Sequence, residues 1–545
     1  MNEVLVVVGP GVVADAALLA EIAGREFAAL GVRGTLAHAA SAAHLRSLAG
    51  EGDTVVVLPG PGAEARALIG RPLGPAVLVW ADLDHVEEAV EGAAEGVTHI
   101  HGRGVQGLAW AIRHAVHRSR HPGVRRVPYG PFPDQWAELY LPGTSGSRGA
   151  AATRPGLPGE PIGPGEPGRP GEPGRSGELG RSGELGLPGE PGGGSGGPGK
   201  AGRVPVVVLI HGGYWRSNWA ADTLGALCAD LAGRGLAVWN LEYRRPDLHG
   251  WAATREDITA GLTALTALAP PPETGPSPRT GPGTETTALP GVAPILGAAP
   301  GPEVVPAIDL GRVAVAGHSA GAQLALRAVA DHAARVSTEA SRSGPPAASP
   351  SGPPPAPPAT FPAASPAAFP ATSPAAFPAA FPAAFPATSP AAFPVGFPAV
   401  SLVVSLAGVL DLVECDRRRL SNGAVAEALG EALGEDDAEL RASSPLLRLP
   451  LGVPQLVVQG TGDDPNLVDF ARRYTEAARR AGDEVGYLER PGDHFDVITP
   501  TSPLGRAAVL AIAGALARTH GGAHGEAHGG ADDGAGGGGL GGGLA

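Results

Sequence analysis

The sequence predicts an α/β protein built from two units, one in residues 1–120 and one in residues 121–518. In both units, short apolar segments bounded by Gly or Pro alternate with longer segments of helical periodicity. Strands and helices that alternate in this way form mostly parallel sheets covered by helices. A third observation is that long Gly- and Pro-rich segments interrupt the second unit alone.

The first unit contains five short apolar segments, each expected to be a strand. They are residues 3–8, 34–38, 53–60, 75–81 and 96–101. Segments with helical periodicity follow them, for example residues 16–30 and 105–120. Five strand–helix pairs of this size predict a compact, doubly wound parallel sheet.

Three low-complexity segments lie inside the second unit, at residues 143–202, 270–306 and 336–399. The first contains Gly-x-y triplets, and the third repeats FPAA and FPAT units whose closely spaced prolines exclude a helix. All three fall between predicted elements, where a loop tolerates added length at small entropic cost. We expect disordered insertions there, and a disordered Gly- and His-rich tail at residues 519–545.

Composition limits the partners and the compartment of the chain. It has 40 basic and 54 acidic residues and a net charge of −14, which argues against nucleic acids and anionic membranes as partners. The N-terminal segment has no basic region and is typical of a strand rather than a signal peptide, and no apolar run is long enough to span a membrane. The two cysteines, Cys228 and Cys415, provide neither a disulfide framework nor a metal-ligand spacing. We therefore expect a cytoplasmic protein whose thiols are buried and reduced.

The strongest catalytic motif lies in VAVAGHSAGAQLALRAVADH, residues 313–332. The pentapeptide GHSAG, with Ser319 at its centre, follows an apolar strand and begins an amphipathic helix. A nucleophilic serine on a sharp strand-to-helix turn needs this context, because the small flanking residues let strand and helix pack closely. We predict that Ser319 is a nucleophile; the alternative is a tight turn with an incidental serine.

A serine hydroxyl needs a neighbouring base, and the base needs an acid that orients it. His494, in RPGDHFDVI after the last predicted strand, is the preferred base. Asp463 is the preferred acid because it lies at the exit of the strand VPQLVVQG, while Asp464 and Asp411 remain alternatives. The weaker candidates for the base are His211, His318 and His332.

The segment HGGYW, residues 211–215, follows a predicted strand and is suited to binding an oxyanion. Its two glycines allow the backbone to approach a substrate carbonyl closely, so that amide N–H groups can donate to the developing negative charge. The predicted donors are the N–H groups of Ala320 and Gly212, together with that of Gly213 or Tyr214.

HGGYW and GHSAG, followed by an Asp and a His, together resemble the α/β-hydrolase superfamily. The resemblance covers about residues 127–518 without the insertions. It is strongest to the esterase/lipase branch that includes kynurenine formamidases, also called arylformamidases. It implies a serine hydrolase without metal or cofactor that cleaves a small ester or aryl-formamide substrate through an acyl-enzyme. It also implies a triad of Ser319, Asp463 and His494.

Two positions near these motifs need comment. An aromatic pair follows HGG in that branch, so the resemblance implies that Tyr214 and Trp215 line an acyl or amide pocket; packing against the sheet is the alternative. Gln459 stands where the family commonly has a His in its HGxxD pattern. We expect this departure to matter little.

The first unit is similar to type II 3-dehydroquinate dehydratases, which have a flavodoxin-like fold. VVVGPG and GVTHIHGRGVQGLAWAIRHAV carry the similarity. The family uses a Tyr and an Arg in an early loop, but residues 9–30 contain no Tyr. Arg25 is the sole Arg in those residues, and it lies in a predicted helix. Leu58 stands where the family has an Asn. We therefore expect a non-catalytic relative. Members of that family assemble into dodecamers, so the resemblance leaves open whether this chain forms a homo-oligomer.

Residues 102–107 of the first unit match G-x-G-x-x-G. A nucleotide-binding loop would need a further strand with an acidic residue for the ribose, which the first unit lacks. Helix packing, with a weak anion site at the helix N-terminus, is the preferred interpretation.

A rival hypothesis is a catalytically inactive hydrolase-fold scaffold or binding protein. The insertions and the losses in the first unit support it, whereas a competent residue at every triad position argues against it. Residual dehydratase activity in residues 1–120 is a third hypothesis.

Overall fold

The computed structural model describes most of both units and omits the low-complexity segments. The described residues are 3–83, 97–143, 203–268, 307–343, 396–430, 434 and 437–518. Nearly all of the three predicted insertions, and the whole predicted tail, lie outside these residues, as does the helical pattern predicted between the fourth and fifth strands.

The described part of the first unit contains a five-stranded parallel sheet. Its strands are β1 (Glu3–Val8), β2 (Arg33–His38), β3 (Thr54–Leu58), β4 (Val77–Asp82) and β5 (Val97–His101). Their spatial order is β2-β1-β3-β4-β5, and every neighbouring pair is parallel. This is the strand order of flavodoxin-like folds, which confirms the predicted class.

Helices cover both faces of this sheet. The helices α1 (Ala16–Leu30) and α4 (Gln106–Arg120) pack on one face, and α2 (Ala42–Ala49) and α3 (Ala63–Arg66) pack on the other. The ends of α1 follow from local sequence, because the Asp15 carboxylate accepts a hydrogen bond from Leu18 N–H and Gly31 adopts a left-handed conformation. The doubly wound arrangement therefore agrees with the sequence pattern.

The described residues of the second unit form an eight-stranded sheet. Its strands are β6 (Arg125–Pro128), β7 (Trp136–Tyr140), β8 (Val204–Ile210), β9 (Ala237–Leu241), β10 (Ile308–His318), β11 (Val400–Leu406), β12 (Gln455–Gly460) and β13 (Val485–Arg490). The spatial order is β6-β7-β9-β8-β10-β11-β12-β13. β7 runs antiparallel to both of its neighbours, and the remaining pairs are parallel. The carboxyl ends of β8, β10, β12 and β13 therefore meet at one edge of the sheet.

Nine helices accompany this sheet in the described residues. They are α5 (Gly225–Gly233), α6 (Pro246–His249), α7 (Trp251–Ala264), α8 (Ala320–Ser343), α9 (Leu412–Arg417), α10 (Leu420–Leu429), α11 (Ala438–Ser443), α12 (Pro465–Ala481) and α13 (Pro503–Arg518). One apolar core lies between the sheet and α5 and α13, and the other between the sheet and α7, α8 and α12. Among the helices described, none is both long and apolar enough to cross a membrane.

Two elements of the second unit lie where the sequence pattern did not indicate them. Residues 125–128, near the start of the second unit, form the edge strand β6, whose short length and exposed arginines weaken the strand pattern. The helix that follows Ser319 extends to Ser343 and so enters residues 336–399, which the sequence assigned to the third insertion. The prolines that exclude a helix begin only at Pro345, and His332 stacks on the ring of Phe397 with centroids 4.2 Å apart.

A buried ion pair joins the two units. The guanidinium of Arg103, in the loop before α4, donates to both carboxylate oxygens of Asp222 over 2.7 Å. Its Nε also donates to the carbonyl of Asn218, whose side-chain amide donates to the carbonyl of Gly102. The G-x-G-x-x-G loop therefore contacts the second unit, and its arginine is committed to that contact.

Replacing Arg103 should destabilise the protein more than replacing an exposed arginine. Arg103→Ala leaves the buried Asp222 carboxylate without its charge partner, so we expect a loss of about 3 kcal/mol in urea unfolding. Arg234→Ala breaks the exposed pair with Asp230 and should cost about 0.5 kcal/mol or less. In Arg103→Ala/Asp222→Ala the loss should be smaller than the sum of the single losses; strictly additive losses would contradict a direct pair.

Candidate active site

Ser319 lies at the turn between β10 and α8, and close backbone packing determines its conformation. Its φ is 55°, which is rare for a residue other than glycine. A Cβ on Gly317 would lie 2.1 Å from the Gly321 carbonyl oxygen, and one on Gly321 would lie 2.2 Å from that of Ile210. The Ser319 N–H donates to the Leu406 carbonyl over 2.9 Å. The turn therefore requires glycine on both sides and holds Ser319 in a strained conformation.

The preferred base and the preferred acid lie next to each other. His494 follows β13 and Asp463 follows β12, and His494 Nδ1 lies 3.0 Å from Asp463 Oδ2. Asp463 also accepts the backbone N–H of Asp464 at Oδ1 over 2.7 Å. Burial opposes ionisation of Asp463, but the hydrogen bond and the charge of His494 outweigh burial and lower the pKa of this carboxyl. The Asp463 carboxylate is therefore negatively charged beside the His494 imidazole, which needs a negative partner.

The two alternative acids have other partners. Asp464 is the N-cap of α12, and its side chain accepts from the Asn466 N–H. Asp411 is the N-cap of α9 and forms an ion pair with Arg473 at 2.9 Å. Both carboxylates are accounted for by helix capping, which is the commonest use of Asp at the start of a helix.

Gln459 has a direct contact that the sequence did not suggest. This fully buried residue of β12 donates from Nε2 to Asp463 Oδ2 over 2.8 Å. The expectation that this departure matters little is therefore incomplete, because Gln459 helps to orient the carboxylate that faces His494.

His318 supports the loop of His494. Its ring is buried, and Nε2 lies 3.0 Å from the His494 carbonyl oxygen. Burial, followed by the charge of His494, lowers the pKa of His318 to about 3, so the ring is neutral at neutral pH. Since the carbonyl can only accept, Nε2 carries the proton. The sequence suggested His318 as a weaker candidate for the base, but here it supports the His494 loop instead. His332, another weaker candidate, lies on α8 and also has a different role.

The HGGYW segment passes close to the serine. A Cβ on Gly212 would lie 2.6 Å from the His318 carbonyl oxygen and 2.8 Å from Ser319 Cβ, so only glycine fits. The next glycine, Gly213, has a φ of 110°. The N–H group of Ala320 lies at the first turn of α8, where helix amides have no partner within the helix. Two of the predicted oxyanion donors, Gly212 and Ala320, therefore lie on backbone that borders Ser319.

His211, the first residue of this segment, is anchored by a buried carboxylate. His211 Nε2 lies 3.0 Å from Glu242 Oε1, and Glu242 also accepts the Ala221 N–H and pairs with Arg245. Burial raises the pKa of Glu242, but the charge of Arg245 and the contact with His211 outweigh burial, and the net pKa is lowered. Sequence reasoning missed Glu242; its position directly after β9 was the available signal.

The two aromatic residues that follow the glycines differ in burial. Trp215 is 1 % exposed, donates to the Gln323 side chain over 3.1 Å and packs edge-on against Trp251. Its placement agrees with the packing alternative rather than with a pocket lining. Tyr214 is half-buried, and burial raises the pKa of its hydroxyl. Both residues have positive φ, at 49° and 61°, so the segment carries backbone strain next to the serine.

The described residues hold no cluster of three or more His, Cys, Asp or Glu side chains arranged for a metal ion. Cys228 and Cys415 are buried and unpaired with each other, and burial raises the pKa of both thiols. Neither thiol has the lowered pKa that a nucleophilic cysteine requires.

Comparison with known proteins supports the fold. Residues 207–381 match a family model described as alpha/beta hydrolase fold. No curated protein matches the chain. The second unit therefore has an α/β-hydrolase fold.

Solved structures similar to this chain include several esterases. A bacterial heroin esterase is 18% identical with a TM-score of 0.36, covering 59% of this chain and 76% of its own. Esterase LipW from Mycobacterium marinum is 19% identical with a TM-score of 0.36 and the same coverages. Esterase B from Lactobacillus rhamnosis is 15% identical with a TM-score of 0.40, covering 76% of this chain and 95% of its own. The narrower resemblances to kynurenine formamidases and to type II dehydroquinases stay predictions.

Replacing Gly321 tests the backbone contacts at the serine turn. In Gly321→Ala the new methyl group meets the carbonyl oxygens of Ile210 and His211, so we expect at least about 2 kcal/mol of destabilisation in thermal unfolding. Gly24→Ala is the matched control, because Gly24 is an exposed position inside α1 with nothing within 4 Å of the added methyl. That variant should be stabilised by up to about 1 kcal/mol. Equal stability of the two variants would contradict the close packing described here.

Proposed function

We propose that this protein is a serine hydrolase that cleaves a small ester or aryl-formamide substrate through an acyl-enzyme. The observation that carries the proposal is the 3.0 Å contact between His494 and Asp463 at the sheet edge where Ser319 occupies a strained turn. The match to the alpha/beta hydrolase fold supports the same reaction class. A serine hydrolase needs a nucleophile, a base and an orienting acid, and these three residues are proposed to fill those roles.

In this mechanism Ser319 Oγ attacks the substrate carbonyl carbon while His494 takes the hydroxyl proton. Asp463 accepts from His494 Nδ1, which keeps Nε2 unprotonated for this step and then stabilises the imidazolium. The bond between the carbonyl carbon and the leaving group breaks when His494 returns the proton to the leaving oxygen or nitrogen. Water then attacks the acyl-enzyme by the same route and releases the acid.

The tetrahedral intermediate carries a negative oxygen that needs donors fixed in advance. The N–H groups of Ala320, Gly212 and Gly213 are proposed to supply them, and the Gly212 contacts with Ser319 support this assignment. Such donors act strongly because Ser319 is 1 % exposed and water is largely excluded around it. The reaction needs no group beyond these side chains, backbone amides and water.

An ester and an aryl-formamide differ only in the leaving atom and in the acyl group. Both give the same acyl-enzyme chemistry, so p-nitrophenyl acetate and N-formylkynurenine are suitable first substrates. The inactive-scaffold hypothesis predicts that neither substrate is hydrolysed.

Ser319→Ala should abolish hydrolysis of p-nitrophenyl acetate, lowering kcat by about 10⁵-fold or more because the nucleophile is lost. A fluorophosphonate should label the wild type at Ser319, as located by peptide mass spectrometry, and should not label the variant. Ser47→Ala, an exposed position in α2, is the matched control and should retain both labelling and turnover. A wild type that neither labels nor turns over would favour the scaffold hypothesis.

The choice of acid has its own test. Asp463→Asn should lower kcat by about 10³- to 10⁴-fold, because an amide favours the wrong imidazole tautomer and cannot stabilise the imidazolium. Asp464→Asn should have less than about a threefold effect, since Asn is an equally good N-cap residue. Steady-state rates of both purified variants decide the matter, and comparable losses in the two would refute the assignment to Asp463.

A further inference from the structure

Three half-buried aromatic rings meet between the two units. They are Trp110 on α4, Trp219 after β8 and Phe495 directly after His494, and we call them the aromatic cluster. The ring centroids are 5.4 Å apart for Trp110 and Phe495, 6.0 Å for Trp110 and Trp219, and 6.1 Å for Trp219 and Phe495. Trp110 meets the other two rings edge-on, and Trp219 lies near-parallel to Phe495; both arrangements are favourable for aromatic rings at these separations. The first unit thus contributes one ring to a cluster whose other members belong to the hydrolase fold.

The aromatic cluster borders both loops of the candidate active site. The Phe495 ring lies 5.4 Å from the His494 ring and 5.7 Å from the His318 ring. On the other side, a Cβ on Gly213 would lie 2.3 Å from Trp219 Cβ, so Trp219 packs directly on the proposed oxyanion segment. The cluster therefore reaches from the base loop to the oxyanion loop.

Chemistry indicates which part of a substrate this surface would meet. His494 must return its proton to the leaving atom, so the leaving group has to lie beside the imidazole. The aromatic cluster adjoins that imidazole through Phe495. Flat aromatic surfaces that are only half-buried favour contact with another flat ring.

We propose that the aromatic cluster is the leaving-group subsite and that Trp110 is a specificity-determining residue supplied by the first unit. The preferred substrates are then those that release a phenol or an arylamine. This rests on the proposed hydrolase function and adds to it the class of leaving group. In an aryl ester the Ser319 oxygen bonds to the acyl carbon, the bond between that carbon and the aryloxy oxygen breaks, and the serine proton passes through His494 to the departing aryloxy oxygen.

Two arginines contact rings of the aromatic cluster. The Arg103 guanidinium that pairs with Asp222 also lies 4.7 Å from the centre of the Trp219 ring. A second cation, Arg113, lies 5.2 Å from the centre of the Trp110 ring. The buried ion pair that joins the units therefore also fixes the rings relative to each other. The first unit would act by completing the subsite, without a reaction of its own.

The test compares phenyl acetate with ethyl acetate, which have the same acyl group and differ only in the leaving group. In the full-length protein, Trp110→Ala should lower kcat/KM for phenyl acetate about tenfold, mainly by raising KM, and should change that for ethyl acetate less than about twofold. The intrinsic reactivities of the two esters cancel when each variant rate is divided by the wild-type rate. The inhibition constant of phenol against ethyl acetate hydrolysis should rise several-fold in the same variant.

Two further variants separate recognition from a loss of structure. Trp110→Phe keeps a ring and should restore most of the preference for phenyl acetate. Phe132→Ala removes an exposed ring of the second unit that stacks on Arg244 away from the cluster. It should leave the ratio of kcat/KM for phenyl acetate to kcat/KM for ethyl acetate unchanged. An equal fall for both esters in Trp110→Ala would overturn the proposal, because it would show a structural role alone.

The same experiment distinguishes failure here from failure of the proposed function. Wild-type hydrolysis of both esters, with an unchanged ratio and phenol inhibition in Trp110→Ala, contradicts the leaving-group subsite alone. A wild type that hydrolyses neither ester contradicts the hydrolase function and with it this subsite.

Discussion

The backbone approach at the turn between β10 and α8 is the constraint on which the site depends. Gly317 and Gly321 let the start of the helix lie against the ends of two strands, with carbonyl oxygens where any side chain would stand. This packing holds Ser319 at a positive φ and brings Gly212 to its side. Packing of the large buried sheet around Ser319 offsets the free-energy cost of its strained backbone. The position of the nucleophile is therefore fixed before a substrate binds.

Buried charge fixes the loops around this turn. Glu242 holds His211 and thereby the start of the glycine segment, while Asp463 holds His494 and is itself oriented by Gln459. Each carboxylate is desolvated, and each remains charged because donors and positive partners surround it. The site thus consists of two separately anchored loops, one carrying the proposed oxyanion donors and one carrying the proposed base.

Docking of the first unit uses the same kind of interaction. Arg103 pairs with a buried carboxylate just beyond the glycine segment, and Trp110 on the adjoining helix reaches the residue after His494. The docking contacts and the candidate site are therefore contiguous. The proposed subsite would therefore give the flavodoxin-like unit a role through packing against the hydrolase fold.

The sequence by itself determined the features that depend on local pattern. The bounds of β1 and α1, the turn at Ser319, and the positions of Asp463 and His494 at strand exits all follow from periodicity, capping and glycine spacing. Only the tertiary structure decided which acid faces His494, that Trp215 packs in the core, that Gln459 touches a carboxylate, and that Trp110 meets Phe495. These four features depend on contacts between residues far apart in the chain. The packing of two distant segments leaves no periodic signal in the sequence of either segment.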